Sequence, residues 1–427
     1  TPSGSRDFTY PGSLLDELES HLGEYRLRHD EKYRHSDPLP FLREQYEILD
    51  NNVDAALYLM REKQWDFFML HLLGTDRIQH EFWHLLDESH PQHDPEERQR
   101  LGNVILDYYK AVDARIGRLL EALDDDVVIL VMSDHGFGPV YRFLNLNTWL
   151  LNEGLLRLKR NPRTWFRSLL FRLGVNYASV ANWILRLGLG RQAVATGRAR
   201  REEFQRRFFL SLDDVDWSRS RVYSMGNFGQ LYVNLRGREP GGIVAPGEEY
   251  EELLADLTLR LEAMTDPDTG EPVIEQVFRR AELFEGPYAE QAPDLMFLTR
   301  DMNYKAMGLS DFSSPRVFDP VYGTTGHHRM NGVMIWQGDG IVQEGVQVEG
   351  ASIHDLAPTI LHIMGLPVPS SMDGRVLTEI FTPEFRQQRA VEHSEPDESS
   401  RREEEPAYSD EEEAGMREVL RGLGYVT

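Results

Sequence analysis

The stretch Val127–Pro139, VVILVMSDHGFGP, decides how the rest of the chain is read. Its first six residues are apolar, three of them valine and one isoleucine. So short a run, so rich in β-branched residues, reads as a strand covered on both faces, as in a parallel sheet. It then ends on Ser133-Asp134-His135-Gly136, ionisable groups that are costly at the mouth of a core strand unless something uses them. A plain polar turn is the bland alternative. The remainder of the chain has to choose between the two.

Upstream, DFFMLHLLGTD (Asp66–Asp76) offers a second strand candidate, Phe67–Leu73, again running into an aspartate. A helix is expected over Glu96–Leu123, so the order is strand, helix, strand. That order predicts a βαβ unit with parallel strands. Both strands would deliver an aspartate past their carboxyl ends, the edge where open α/β sheets bind ligands. The coincidence is the first argument against the bland reading. Residues 13–62 read as helical, with apolar spacing in Tyr46, Leu49, Val53, Ala56, Leu57 and Met60.

Bulk properties narrow the classes. A chain of 427 residues can bury a large core. Its net charge of −25 argues against nucleic acid as a partner. Absence of cysteine excludes disulfides, a thiol nucleophile and cysteine-based zinc fingers. No apolar run reaches the ~18 residues of a membrane helix, and no signal peptide opens the chain. A cytoplasmic location is the resulting expectation. The opening TPSGSRDFTYPGSL reads as the interior of a protein, so the chain is expected to begin after the start of its parent.

Residues 155–209 hold 13 Arg or Lys against two Glu, interleaved with Trp165, Phe166, Leu169, Leu170, Leu173, Trp183, Ile184 and Leu187. This is either a basic amphipathic cap that meets anionic surfaces or a helical insertion whose arginines pair with the acidic remainder. Strand candidates resume with QLYVNLR, PVIEQVFRR, DLMFLTR and NGVMIW. Pro246–Ala263 and the segment ASIHDLAPTILHIMGLPVP read as helices, the latter capped by Ser352 or Asp355 and stopped by Gly365. Four regions follow: 1–150 as core, 151–215 as basic insertion, 216–383 as core completion, and 384–427 as an acidic linker with a last helix from Ser409.

Three places concentrate metal-type donors. In GTDRIQHEFWH, Asp76, His80 and His84 are four apart and share one helix face; His84 reads as a solvated or aromatic-packed neighbour of the other two. Asp134 and His135 are adjacent in SDHG, and His327 and His328 precede a core strand. Oxygen and imidazole donors without cysteine suit zinc or manganese in a site that keeps open positions. Six donors exceed one tetrahedral shell, so two neighbouring ions, as used in phosphoryl displacement, are the expectation. Arg142 and Asn145, just beyond SDHG, are candidates for phosphate contact.

GTDRIQHEFWH, VVILVMSDHGFGP, GHHRMNGVMIWQGDGI and SIHDLAPTILHIMGLPVPSSMDGRVL, in that order, resemble the type I phosphodiesterase/nucleotide pyrophosphatase branch of the alkaline phosphatase superfamily. The resemblance spans residues 7–382 and implies a three-layer α/β/α sandwich with a mostly parallel central sheet and two divalent ions, zinc before manganese. It implies one ion on Asp76, His80 and His328, with His327 the alternative to His328, and the other on Asp134 and His135. It also implies an aspartate and a Thr or Ser nucleophile ahead of the DxxxH motif. Residues 1–66 supply neither, so the nucleophile is expected upstream and the chain alone is expected to be nearly inactive. A small phosphorylated substrate is the implied partner. A phosphomutase or sulfatase of the same superfamily, or an inactive metal-binding module, are the rivals.

Overall fold

The computed structural model describes residues 8–26, 33, 37–175, 208–308, 312–321 and 323–395. Its amino-terminal part is helical. Helix α1 (Leu14–Leu22) stops at Gly23, whose φ of 78° a glycine adopts freely. Helix α2 (Leu39–Glu62) starts afresh after Pro38. The continuous helical reading of 13–62 therefore splits in two. Helices α3 (Gly74–Leu86), α4 (Pro95–Leu101) and α5 (Val104–Leu120) follow. Gly102, at φ 73°, divides the single helix expected over Glu96–Leu123. Leu49 and Val53 of α2, Ile78 and Phe82 of α3, and Tyr108 and Val112 of α5 close one core.

The largest departure from expectation is the sheet. Residues 67–73 form no strand. Leu70 and Leu72 pack on the helical core, while Phe67 and Met69 stay 54% and 74% exposed. The run thus meets one covering layer instead of two, and a parallel strand needs both. Strand β1 (Ile129–Met132) pairs instead with a strand some 200 residues later (Met334–Gln337), antiparallel, with Val131 opposite Ile335. Neither the βαβ unit nor a mostly parallel central sheet is present among the described residues. Small sheets, mainly antiparallel, replace them.

Strands β2 (Gly136–Pro139) and β3 (Arg142–Asn145) lead into α6 (Leu146–Asn152) and α7 (Pro162–Arg172). After β4 (Val222–Tyr223) and β5 (Tyr232–Val233), helix α8 (Glu248–Glu262) buries Leu253, Leu254, Leu257 and Leu261, the stripe its spacing dictates. It covers the hairpin β6 (Ile274–Arg279) and β7 (Leu295–Thr299). Strand β8 (Tyr304–Met307) runs parallel to β3, and β9 (Phe318–Pro320) antiparallel to it on the other side. Together these elements build the second and larger core.

In the basic stretch, the buried Arg167 on α7 donates to the buried Asp214 at 2.8 Å, as the pairing alternative expected; residues 176–207 of that stretch lie outside the described ones. Strands β10 (Gly326–Arg329) and β11 (Met334–Gln337) precede helix α9 (Leu356–Ile363). Ser352 accepts from the His354 N–H ahead of α9. Helix α10 (Pro383–Gln388) stands where the linker was expected to begin, because Phe385 packs on Phe381 and His362. The helix expected from Ser409 lies outside the described residues. Among those described, no helix is long and apolar enough to cross a membrane.

One small ribbon positions everything that follows. Strands β2 and β10 pair antiparallel, with His328 opposite Phe137 and Gly326 opposite Pro139. The ribbon lies directly on α3. A Cβ at Gly326 would sit 2.5 Å from the Gln79 carbonyl oxygen and 2.8 Å from the Phe137 ring. Gly326→Ala is therefore expected to lower stability by about 1–3 kcal/mol, as overpacking does, read as a reduced urea midpoint at unchanged slope.

Candidate metal centre

Helix α3 carries Asp76 in its first turn and His80 one turn later. The His80 Nδ1 lies 2.8 Å from the Gly326 carbonyl oxygen. A carbonyl only accepts, so Nδ1 holds the proton and Nε2 keeps its lone pair. That Nε2 is 3.2 Å from Asp76 Oδ1 and 3.2 Å from His328 Nε2 on β10. His328 Nε2 is in turn 3.2 Å from Asp76 Oδ1. At the end of β1, the His135 Nδ1 donates to the Gly136 carbonyl at 2.9 Å, again freeing Nε2, which lies 3.9 Å from Asp76 Oδ1.

Packing fixes the rings. His135 stacks on His328 at 3.7 Å between centroids. Phe137 meets His80 edge-on at 4.8 Å and lies against His135 and His328 as well, with Trp83 stacked behind it. Three imidazoles thus share one aromatic neighbour.

Electrostatics follow from this crowding. Burial opposes ionisation of Asp76, but the imidazoles of His328 and His80 beside its Oδ1 outweigh it and hold the carboxyl well below its usual range. Burial pushes the His328 imidazole down, with Asp76 pulling the other way. His327 is pushed down strongly by burial and by the neighbouring Lys305.

Of the residues singled out in the sequence, Asp76, His80, His135 and His328 come together. Asp134 does not enter the knot: its side chain is 62% exposed, with Oδ1 3.6 Å from His135 Nε2. His327 is 9% exposed, its Nδ1 has no hydrogen-bond partner, and it shares a second donor group with His80 and His328. Arg142 is engaged by Asp266 and Asp268 at 2.5 and 2.8 Å, and by the face of Phe318. Asn145 is buried and bonded to Arg316, Asp319 and Ser313. Both are held by partners within the fold. His84 is buried, meets the His90 ring at 6.3 Å between centroids, and contacts Thr325 and Glu97.

Sequence reading missed Phe137 and Lys305. Burial lowers the Lys305 ammonium, while Glu81 and Asp76 favour its charge. A lone lysine in YKAM carries no local signal, because only the β3–β8 pairing sets it near α3.

The donor set fits a divalent cation. With the Nδ1 protons of His80 and His135 committed to carbonyls, their Nε2 lone pairs face Asp76 and His328 Nε2. Two imidazole nitrogens 3.2 Å apart repel unless a proton or a metal ion lies between them. Neutral imidazoles and an ionised carboxylate are the forms that ligate.

The family profile for type I phosphodiesterase / nucleotide pyrophosphatase matches residues 5–311. The chain belongs to that family. His327 and His328 lie beyond the matched span and meet it through α3, β2, His135 and Phe228. Human ectonucleotide pyrophosphatase/phosphodiesterase 5 is a similar solved structure, at TM-score 0.39 and 11% identity over 78% of this chain. The chain covers 64% of that protein's length. No curated protein sequence matches it.

The lowered imidazoles give a pH prediction for the metal-free protein. His327, and less strongly His328, binds a proton less readily when folded than when unfolded, where imidazoles take up protons below pH ~6.5. The unfolded state then binds more protons, so stability falls as pH drops. Thermal unfolding in EDTA should give a lower Tm at pH 5.5 than at pH 7.5, and His327→Gln should reduce the difference.

Proposed function

We propose that the chain is the metal-holding part of a phosphoric-ester hydrolase of the phosphodiesterase/nucleotide pyrophosphatase type. The observation that carries this reading is the approach of Asp76, His80, His135 and His328 through their ligating atoms, from α3, the end of β1 and β10. Asp76, His80 and His328 would hold one divalent ion, zinc before manganese. His135 with Asp134 would take part in holding a second, and His327 is the alternative third ligand of the first. When bound, such ions supply Lewis-acid stabilisation of the charge that develops on phosphoryl oxygens.

The chain's own groups have distinct tasks in this reading. The Gly326 and Gly136 carbonyls orient His80 and His135 by fixing their tautomers. Phe137 restrains the three rings. Lys305 brings positive charge beside Asp76 and His327 in a chain of net charge −25, which favours a small anionic substrate. The nucleophile is assigned to sequence ahead of the DxxxH motif, beyond the residues gathered here.

Exposure of Asp134 favours a second reading, a metal-binding interaction module in which only one ion is held. Elemental analysis and hydrolysis of bis-p-nitrophenyl phosphate separate the two. The assay uses the 427-residue chain and the same chain preceded by whatever its gene encodes ahead of Thr1. Two metals per chain, with turnover appearing only in the longer protein, is the expected result. Bound metal without turnover in either form would overturn the hydrolase reading. His328→Ala should lower zinc affinity by at least tenfold, on the scale of losing one ligand or its support.

A further inference from the structure

Four residues beyond His80 on the same helix face stands His84, which takes no part in the cluster. It is 1% exposed. Its Nε2 lies 3.3 Å from Glu97 Oε2 on α4, and Glu97 is itself 5% exposed. Its Nδ1 lies 3.2 Å from the Thr325 hydroxyl. Thr325 is the residue before β10. Its N–H donates to the His80 carbonyl at 2.7 Å, and its hydroxyl oxygen accepts from the His84 N–H at 3.3 Å. The next residue, Gly326, receives the His80 imidazole proton.

The Thr325 hydroxyl has one proton and three acceptors in reach, the His84 Nδ1 at 3.2 Å and the Glu81 and His80 carbonyls at 3.3 and 3.4 Å. The assignment that links Glu97 to Thr325 gives it to His84. The Glu97 carboxylate accepts from His84 Nε2–H, and His84 Nδ1 accepts from the Thr325 O–H. Thr325 is then locked to the turn of α3 that carries His80, and three residues later β10 presents His328. A carboxylate and an imidazole removed from water are costly, and an apolar pair would pack α3 against α4 equally well. A directional chain adds to the Thr325 N–H bond in holding the entry of β10 at one register along the helix.

We propose that Glu97, His84 and Thr325 form a positioning relay. It sets the 3.2 Å spacing between the Nε2 atoms of His80 and His328 from one turn further along the same face of α3. The proposal rests on reading that cluster as a metal centre, although the spacing of the rings is a property of the metal-free protein too.

Thr325→Val removes the hydroxyl at nearly constant volume, Glu97→Gln removes the charge, and Thr325→Ser keeps the hydroxyl. Zinc dissociation constants would be measured by chelator competition on protein shown to be folded by circular dichroism. Thr325→Val and Glu97→Gln should weaken zinc 10- to 100-fold, the range for groups that orient ligands, and Thr325→Ser should stay within about threefold of the parent on that scale. The metal-free proteins would be compared by imidazole 15N resonances. Those of His80 and His328 should move in Thr325→Val and return in Thr325→Ser, with His362 on α9 as a fixed reference. Unchanged zinc affinity in Thr325→Val and Glu97→Gln, with only the Tm lowered, overturns the relay. Should the parent bind no zinc, the metal reading fails, and the ring resonances decide the relay alone: unmoved His80 and His328 signals reject it, moved and rescued ones uphold it.

Discussion

Two hydrogen bonds between the middle of α3 and the entry of β10 govern this molecule. The Thr325 N–H reaches the His80 carbonyl at 2.7 Å, and the His80 imidazole returns to the Gly326 carbonyl at 2.8 Å. One bond fixes where the strand meets the helix, and the other fixes which nitrogen of His80 carries the proton. Gly326 makes the approach sterically feasible, since any side chain there would run into the Gln79 carbonyl. The β2–β10 ribbon then brings Phe137 and His135 to the same place. Every distance within the donor cluster inherits its value from this junction.

Burial and polarity are balanced differently along one stripe of α3. At the cluster, the neighbouring imidazoles hold the Asp76 carboxyl low, and burial pushes the His328 imidazole down against the pull of Asp76. One turn on, the His84–Glu97 pair is satisfied by its own partners. A helix with polar residues at Asp76, His80 and His84 would ordinarily turn that stripe to water. Here the stripe is inward-facing, and strand β10 crosses over it. The apolar residues Ile78, Phe82 and Leu85 bury the neighbouring face in the helical core.

Much of the donor set was legible because its parts are local. A DxxxH spacing places both side chains on one helix face whatever the tertiary fold, and an apolar run ending in Asp134-His135 marks a strand end. His328 lies 3.2 Å from Asp76, while His327 shares a second donor group with His80 and His328. Sheet architecture was illegible for the opposite reason. Strands of four residues or fewer carry almost no periodic signal, and the pairing of β1 with β11 is chosen across some 200 residues. Phe67–Leu73 had the composition of a core strand, but only one of its sides is covered. The breaks at Gly23 and Gly102 did have a signal, glycine itself, which the apolar spacing on either side masked. His84 looked solvated because its partners, Glu97 and Thr325, lie 13 and 241 positions away.

Asp76 and His328 are separated by 252 positions. A polypeptide leaving the ribosome amino end first therefore exposes Asp76 and His80 long before their third companion has been synthesised. Helix α3 alone offers a cation two teeth of a chelate, and the entropy of closing so long a loop has to be met before the third can engage. The cluster is thus a late product of folding: a chain interrupted before residue 328 carries Asp76 and His80 without the His328 that completes their group.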